Sequence, residues 1–153
     1  MPVIVIGADT QVGGAVVPAL RPRSGEVRVF VTDPDAGERL HGMAKVAVGD
    51  LSDGSHVGGA AIGAFCAVVI AAAAHDGRER YFAATPQAVF ARWADGLSDA
   101  GISRIVAVGR PDEVPEPNPL IGAAPEYVFV DTTGRSRETV AGEVARLEAA
   151  TSL

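Results

Sequence analysis

The sequence has one cysteine, Cys66, which excludes an internal disulfide and any metal site built from several thiolates. Cys66 stands in an apolar run and reads as a buried, inert thiol. Lysine is almost absent: Lys45 is the only one, and the other basic residues are arginines without a tight cluster. The net charge of −6 argues against nucleic acid as a partner, because phosphate binding needs a basic face. Aromatic residues are few, at 5%. No basic segment precedes the first apolar stretch, so no signal peptide is expected. The uncharged run from Val57 to Ala74 has about the minimum length of a membrane span. It is rich in Gly and Ala, and a helix end followed by a buried strand accounts for it better. No membrane partner is expected, and a cytoplasmic location is. His41 and His56 lie at helix or loop positions without ligand-spaced partners, so no metal is expected.

What is present is an alternation of strand and helix signals in 153 residues, nearly half of them apolar. That length fits one domain with a substantial core. Strands are expected at Val3–Ile6, Val27–Val31, Lys45–Val48, Ala67–Ala73 and Arg104–Val108. Helices are expected at Gln11–Leu20 (kinked or shortened by Pro18), Pro34–His41, from a Ser52 or Asp53 cap to Ile62, at Pro86–Ala100 and at Arg135–Ala150. Pro22, Ser24 and Gly25 form the first loop. Tyr127–Val130 is a short apolar segment of open type, read as a sixth strand or as loop. With connections this short, parallel strands need right-handed crossovers, which gives an α/β fold: a doubly wound parallel sheet in a single three-layer domain over residues 1–153.

The first strand runs straight into Gly7-Ala8-Asp9-Thr10-Gln11-Val12-Gly13 and then a helix. A strand, a glycine turn and a helix N-terminus together can cradle a pyrophosphate. Thr10 stands where a glycine would let backbone approach the phosphates; its side chain either fills that space or donates its hydroxyl to a phosphate oxygen. Asp9 adds a negative charge, which would cost on the order of 1 kcal/mol at about 5 Å from a phosphate. Its alternative role is a turn residue pointing away. Asp33, twenty residues after Gly13, is placed to hydrogen-bond a ribose hydroxyl or to cap the helix begun by Pro34.

In order and spacing these segments resemble the short-chain dehydrogenase/reductase superfamily, above all its NmrA-like and epimerase-like members. Residues 7–13 are similar to their Gly-Ala-Thr-Gly-x-x-Gly turn, Val29–Pro34 to the end of their second strand, Val48-Gly49-Asp50-Leu51 to their Gly-Asp-Leu, and Arg104–Val108 to their fifth strand. The resemblance implies a Rossmann-like fold and NAD or NADP as cofactor. The implied contacts are Gly7, Ala8, Thr10, Gln11, Val12, Gly13, Asp33, Asp50, Leu51 and Ala72, with Asp50 and Leu51 beside the adenine. Thr32 occupies the position where NADP-preferring relatives carry Arg. No basic residue is then placed for a 2′-phosphate, which tilts the expectation toward NAD. The resemblance also implies a homodimer through the helices at 86–100 and 135–150, where Trp93 is read either as an anchor or as a core or half-exposed aromatic.

The catalytic pattern departs from the family. Gly109-Arg110 stands where a Ser follows strand five. The Tyr-x-x-x-Lys pair of the next helix has two possible registers here. In one, Tyr127 is followed by Asp131; in the other, Thr133 and Arg137 replace Tyr and Lys. A threonine hydroxyl cannot donate a proton as a phenol does, and Arg is not a tunable base. The chain also ends where family enzymes continue into a sixth strand and a substrate-binding segment. His75-Asp76-Gly77-Arg78-Glu79-Arg80 follows strand four, where a His beside an Asp could serve acid/base work or form a solvated charged loop. The long loop from Pro111 to Pro125 is expected to close over the crevice or to be a surface excursion. Three readings follow: a non-catalytic dinucleotide-binding sensor, regulator or interaction module; a small NAD(P)-dependent oxidoreductase or epimerase using His75 or Tyr127; or a structural protein that binds no nucleotide.

Overall fold

The computed structural model describes residues 1–22 and 25–153, so Ser24 of the first loop lies outside the described residues. Among these, six parallel strands form one sheet in the order β3-β2-β1-β4-β5-β6. They are β1 (Val3–Ile6), β2 (Val27–Val31), β3 (Lys45–Val48), β4 (Cys66–Ile70), β5 (Arg104–Gly109) and β6 (Glu126–Asp131). Five α-helices, α1 (Gln11–Leu20), α2 (Pro34–Leu40), α3 (Gly54–Ala61), α4 (Pro86–Asp99) and α5 (Arg137–Ala149), cover the two faces. The central strands read as unbroken apolar runs because both faces are buried. In β1, Val3 and Val5 pack into the layer of α1 and α5, while Ile4 and Ile6 pack into the layer of α3 and α4. The chain leaves β1 toward β2 on one side and resumes at β4 on the other. The order therefore reverses beside β1, and a crevice opens there at the carboxyl edge.

Several elements differ from the sequence expectation. β4 stops at Ile70, and Ala71–Ala74 forms a 3-10 turn. Alanine has little strand preference, and these small residues let the segment pass beside the glycine turn of β1: a Cβ on Gly7 would stand 2.9 Å from Ala73 Cβ. Pro18 lies inside α1 and does not shorten it. The open segment at 127–130 is a strand, β6, paired in register with β5 from Arg104↔Glu126 to Gly109↔Asp131. The sixth strand that the sequence left open is thus present. It is an edge strand and mostly half-buried, which weakens its sequence signal.

The connection from β5 to β6 carries only the short 3-10 turn Pro111–Glu113 and no α-helix. Its first residues border the crevice. The remainder is a crossover on the α4 side, anchored by the fully buried Leu120, so it does not close over the edge. α4 belongs to one layer and α5 to the other. Trp93 is fully buried, and its indole donates to the Leu51 carbonyl at 2.7 Å. It is a core residue.

Cys66 is buried, and burial pushes its thiol up to about 12. Arg104 is the one fully buried arginine among the described residues. Its guanidinium donates to the carbonyls of Leu147, Glu148 and Ala150 at 2.9, 3.1 and 2.6 Å, closing the C-terminus of α5 where a cation is favoured. It also forks onto Glu126 at 2.9 and 2.8 Å and lies over the Phe65 ring. Removing it strands a carboxylate and helix carbonyls together. Arg104→Ala is expected to cost about 3 kcal/mol in urea unfolding, with Arg104→Lys recovering only part because it lacks the fork. A loss under about 1 kcal/mol would show that α5 is held by its apolar face alone.

Candidate functional site

At the end of β1 the chain turns through Gly7, whose φ of 88° lies in the region that favours glycine. Thr10 caps α1: its hydroxyl donates to the Gly7 carbonyl at 2.8 Å and accepts from the Gly13 N–H at 3.0 Å. The hydroxyl is therefore spent inside the turn and is not offered to a phosphate. Gly13 faces the turn so closely that a Cβ there would lie 2.4 Å from the Gly7 carbonyl oxygen. Gln11 and Val12 head the helix and border the adjoining cavity. Their N–H groups precede the first intrahelical bond, which Gly14 donates to Thr10. A helix start of this form can hold an anionic group.

Asp9 points neither at that helix start nor into solvent. One carboxylate oxygen accepts from the backbone N–H groups of Thr32 and Asp33 at 2.9 and 3.3 Å. The other accepts from Arg78 at 2.9 Å. The pair is nearly closed to solvent, with side-chain exposures of 6% for Asp9 and 9% for Arg78. The charge feared beside a phosphate is thus neutralised from within. Asp33 is the cap of α2, accepting from the Asp35 N–H at 3.0 Å, and it stays exposed.

Arg78 also corrects the expectation that no cation stands at the end of β2. It arrives from the segment after β4 and reaches Thr32 Oγ1 at 3.2 Å, with its fork on Asp76 at 2.8 and 2.7 Å. Burial alone raises the Asp76 carboxyl, but the hydrogen bonds and charge of Arg78 outweigh it, so the group lies below its ordinary value. Arg80 reinforces the segment by donating to the carbonyls of Ala73 and Asp76 at 2.7 and 2.9 Å. Farther on, the Tyr81 N–H donates to Asp50 at 2.7 Å and the Phe82 N–H to Ser52 Oγ at 3.0 Å. Ser52 in turn donates its hydroxyl to Asp50 at 2.6 Å. Asp50 is raised by burial and lowered more by Ser52, Tyr81 and the Arg80 charge, for a net fall. Leu51 is fully buried.

On the other side of the glycine turn a cavity of about 550 Å³ remains, between Thr10–Val12, Ala72 and the loop after β6. Asp76, Arg110, Glu113 and Thr133 border it. No Ser, Tyr or Lys does. Tyr127 pairs with Ile105 near the start of β5, at the amino edge of the sheet, and its hydroxyl accepts from Asn118 at 2.7 Å. It is therefore remote from the crevice. Thr133 reaches the cavity from the end of β6, while Arg137 begins α5; neither lies on a helix following β5. His75 is exposed, and its Nε2 meets the Glu113 carbonyl at 2.7 Å. Among the described residues no His/Cys/Asp/Glu group could hold a metal ion, and no helix is long and apolar enough to cross a membrane.

Sequence reasoning missed Arg78, Arg80, Ser52 and Glu113. The first two lay in a segment read as possible solvated loop. The signal was the pair of arginines spaced two apart just after a fully buried strand.

A family model described as NAD(P)H-binding matches residues 7–141. No curated protein matches the sequence. Among solved structures, the chain is similar to the triphenylmethane reductase of Citrobacter sp., with TM-score 0.76 and 15% identity over 98% of this chain and 66% of that one. That reductase has also been solved in complex with NADP(H). An anaerobillin reductase of Escherichia coli O157:H7 gives TM-score 0.72 and 18% identity over 99% of this chain and 92% of that one. A Bacillus halodurans protein described as an NAD-dependent epimerase/dehydratase gives 0.67 and 18%, over 96% and 87%. At these identities the likeness is one of fold. The chain spans about two thirds of the triphenylmethane reductase.

The lowered carboxyls of Asp50 and Asp76 fix the sign of a pH effect. A carboxyl with a depressed folded value adds stability that is complete above its unfolded value and is lost as pH falls through the folded one. Melting temperature is therefore expected to hold down to about pH 4 and to drop below it. The double variant Asp50→Asn/Asp76→Asn should show a shallower acid limb. An acid limb unchanged in that variant would show that the two groups are not perturbed by folding.

Proposed function

The chain belongs to the NAD(P)H-binding family, and from that premise we propose that it is a non-catalytic relative of the reductases and epimerases that binds a dinucleotide as a sensor, regulator or interaction module. In this reading Gly7, Ala8 and Thr10–Gly13 form the diphosphate cradle, with Thr10 acting through the turn it caps. Ala72 flanks the cradle from the end of β4. Asp33 meets the adenosine ribose, and Asp50 and Leu51 lie toward the adenine. Asp33 favours NAD over NADP, since a carboxylate pairs with a ribose hydroxyl and repels a 2′-phosphate. Bound NAD(P)H would supply a hydride, but the residues around it decide whether a substrate can be reduced.

The observation that carries the reading is the connection after β5. Gly109-Arg110 enters a 3-10 turn where a catalytic helix would have to stand. The neighbouring cavity offers carboxylates, an arginine and threonine hydroxyls, none of which is a proton donor of phenol strength at neutral pH. His75 is the one residue that favours an enzymatic reading, by its place at the carboxyl edge, yet its ring is engaged with the Glu113 carbonyl.

NADH at millimolar concentration is expected to raise the melting temperature by a few degrees through mass action. Its absorbance should stay constant when a panel of ketones, aldehydes and quinones is added. Oxidation of NADH that is lost in His75→Ala would establish the enzymatic reading instead. A melting temperature unmoved by NAD(H) and NADP(H) alike would leave a structural protein.

A further inference from the structure

We propose that the segment Asp76–Phe82 is a built-in strap that occupies the adenosine half of the crevice and must swing out before a dinucleotide can bind. The proposal rests on the dinucleotide-binding reading and concerns the regulation of that same site. A dinucleotide lying across a switch point rests its diphosphate on the helix start after β1 and its adenosine ribose over the end of β2. In this chain the diphosphate half is open, with the cavity of about 550 Å³ beside it. The adenosine half is filled by the protein. Arg78 sits between Asp9 and Thr32 at the end of β2. The Tyr81 N–H satisfies Asp50, and the Phe82 N–H satisfies Ser52. The groups that would meet a ribose and a base thus already have partners from the same chain.

The strap is held in a way that lets it leave. Residues 76–82 belong to no helix or strand, so no ladder of backbone bonds fixes them. Its anchors are the Asp76 N–H given to the Ala72 carbonyl at its start, side-chain contacts at Arg78 and Arg80, and two backbone N–H groups given to side chains. Arg80 Nε is buried without a hydrogen-bond partner, a defect that the closed state carries and an open state would relieve. Tyr81 and Phe82 remain exposed, at 77% and 53%, so opening costs little apolar burial. Segments of this kind open at lower free energy than the core. An equilibrium dominated by the closed form lowers the apparent affinity for any ligand that needs the open one.

The test compares NAD with nicotinamide mononucleotide, which has a phosphate but no adenosine, in wild type and in Arg78→Ala by calorimetric titration. The ratio of NAD affinity to mononucleotide affinity is expected to rise at least tenfold in the variant. The charge released on Asp9 repels the phosphates of both ligands, and those of NAD at least as much because its second phosphate lies toward the adenosine side, so it does not produce the expected rise. Arg80→Met, which removes the second anchor, should shift the ratio in the same direction and serves if Arg78→Ala does not fold. Saturating NAD should also open the Arg78–Glu79 bond of the wild type to trypsin. A ratio unchanged in both variants while NAD binds overturns the strap and leaves the dinucleotide reading standing. Absence of binding by every protein to either ligand overturns both.

Discussion

The carboxylate of Asp9 ties together the loops that form the carboxyl edge. One oxygen takes the backbone N–H groups at the end of β2, and the other takes the arginine that arrives from beyond β4. A nearly buried ion pair of this kind adds little net stability, because desolvating two charges offsets their attraction. Its effect is on placement. It turns Asp9 away from the helix start, closes the N–H groups at the end of β2, and sets Arg78 where the segment after β4 must cross the crevice. The shape of the site follows from that one side chain.

The glycine turn and the Asp9 network act on different halves of the edge. Gly7 and Gly13 keep the turn tight, and the Thr10 hydroxyl, inside it, seals the first turn of α1. The half beside the helix start is therefore preformed and open, as small-molecule sites generally are. The other half is already satisfied by Arg78, Tyr81 and Phe82. The lining of the cavity has a separate origin. The connection from β5 to β6 spends its residues on a short turn and on Leu120, which fills the core beneath α4, and no helix is left to carry a Tyr and a Lys toward the cavity.

Much of this was legible in the sequence because local signals agreed with one another. The apolar runs with bounding turns located β1, β2, β3 and β5 within a residue. The expected caps Asp33 and Asp53 both accept from the helices they begin. What was not legible depended on contacts between distant positions. β6 is an edge strand whose identity comes from pairing with β5. The opposite placement of α4 and α5 is a consequence of the crossover and not of either helix's pattern. At the site, residues 7–13 announced a phosphate cradle, but the destination of the Asp9 side chain required knowing that Arg78, far along the chain, would meet it. A reading of position 32 alone therefore missed the cation.

The central claim is that the closed edge and the bound dinucleotide exclude one another. Hydrogen–deuterium exchange at the Tyr81 and Phe82 amides tests it most directly, because those N–H groups are the ones given to Asp50 and Ser52. Adding NAD to saturation should accelerate their exchange while the amides of β1 and α1 become slower. Exchange at Tyr81 and Phe82 that stays constant or slows as NAD binds would contradict the account.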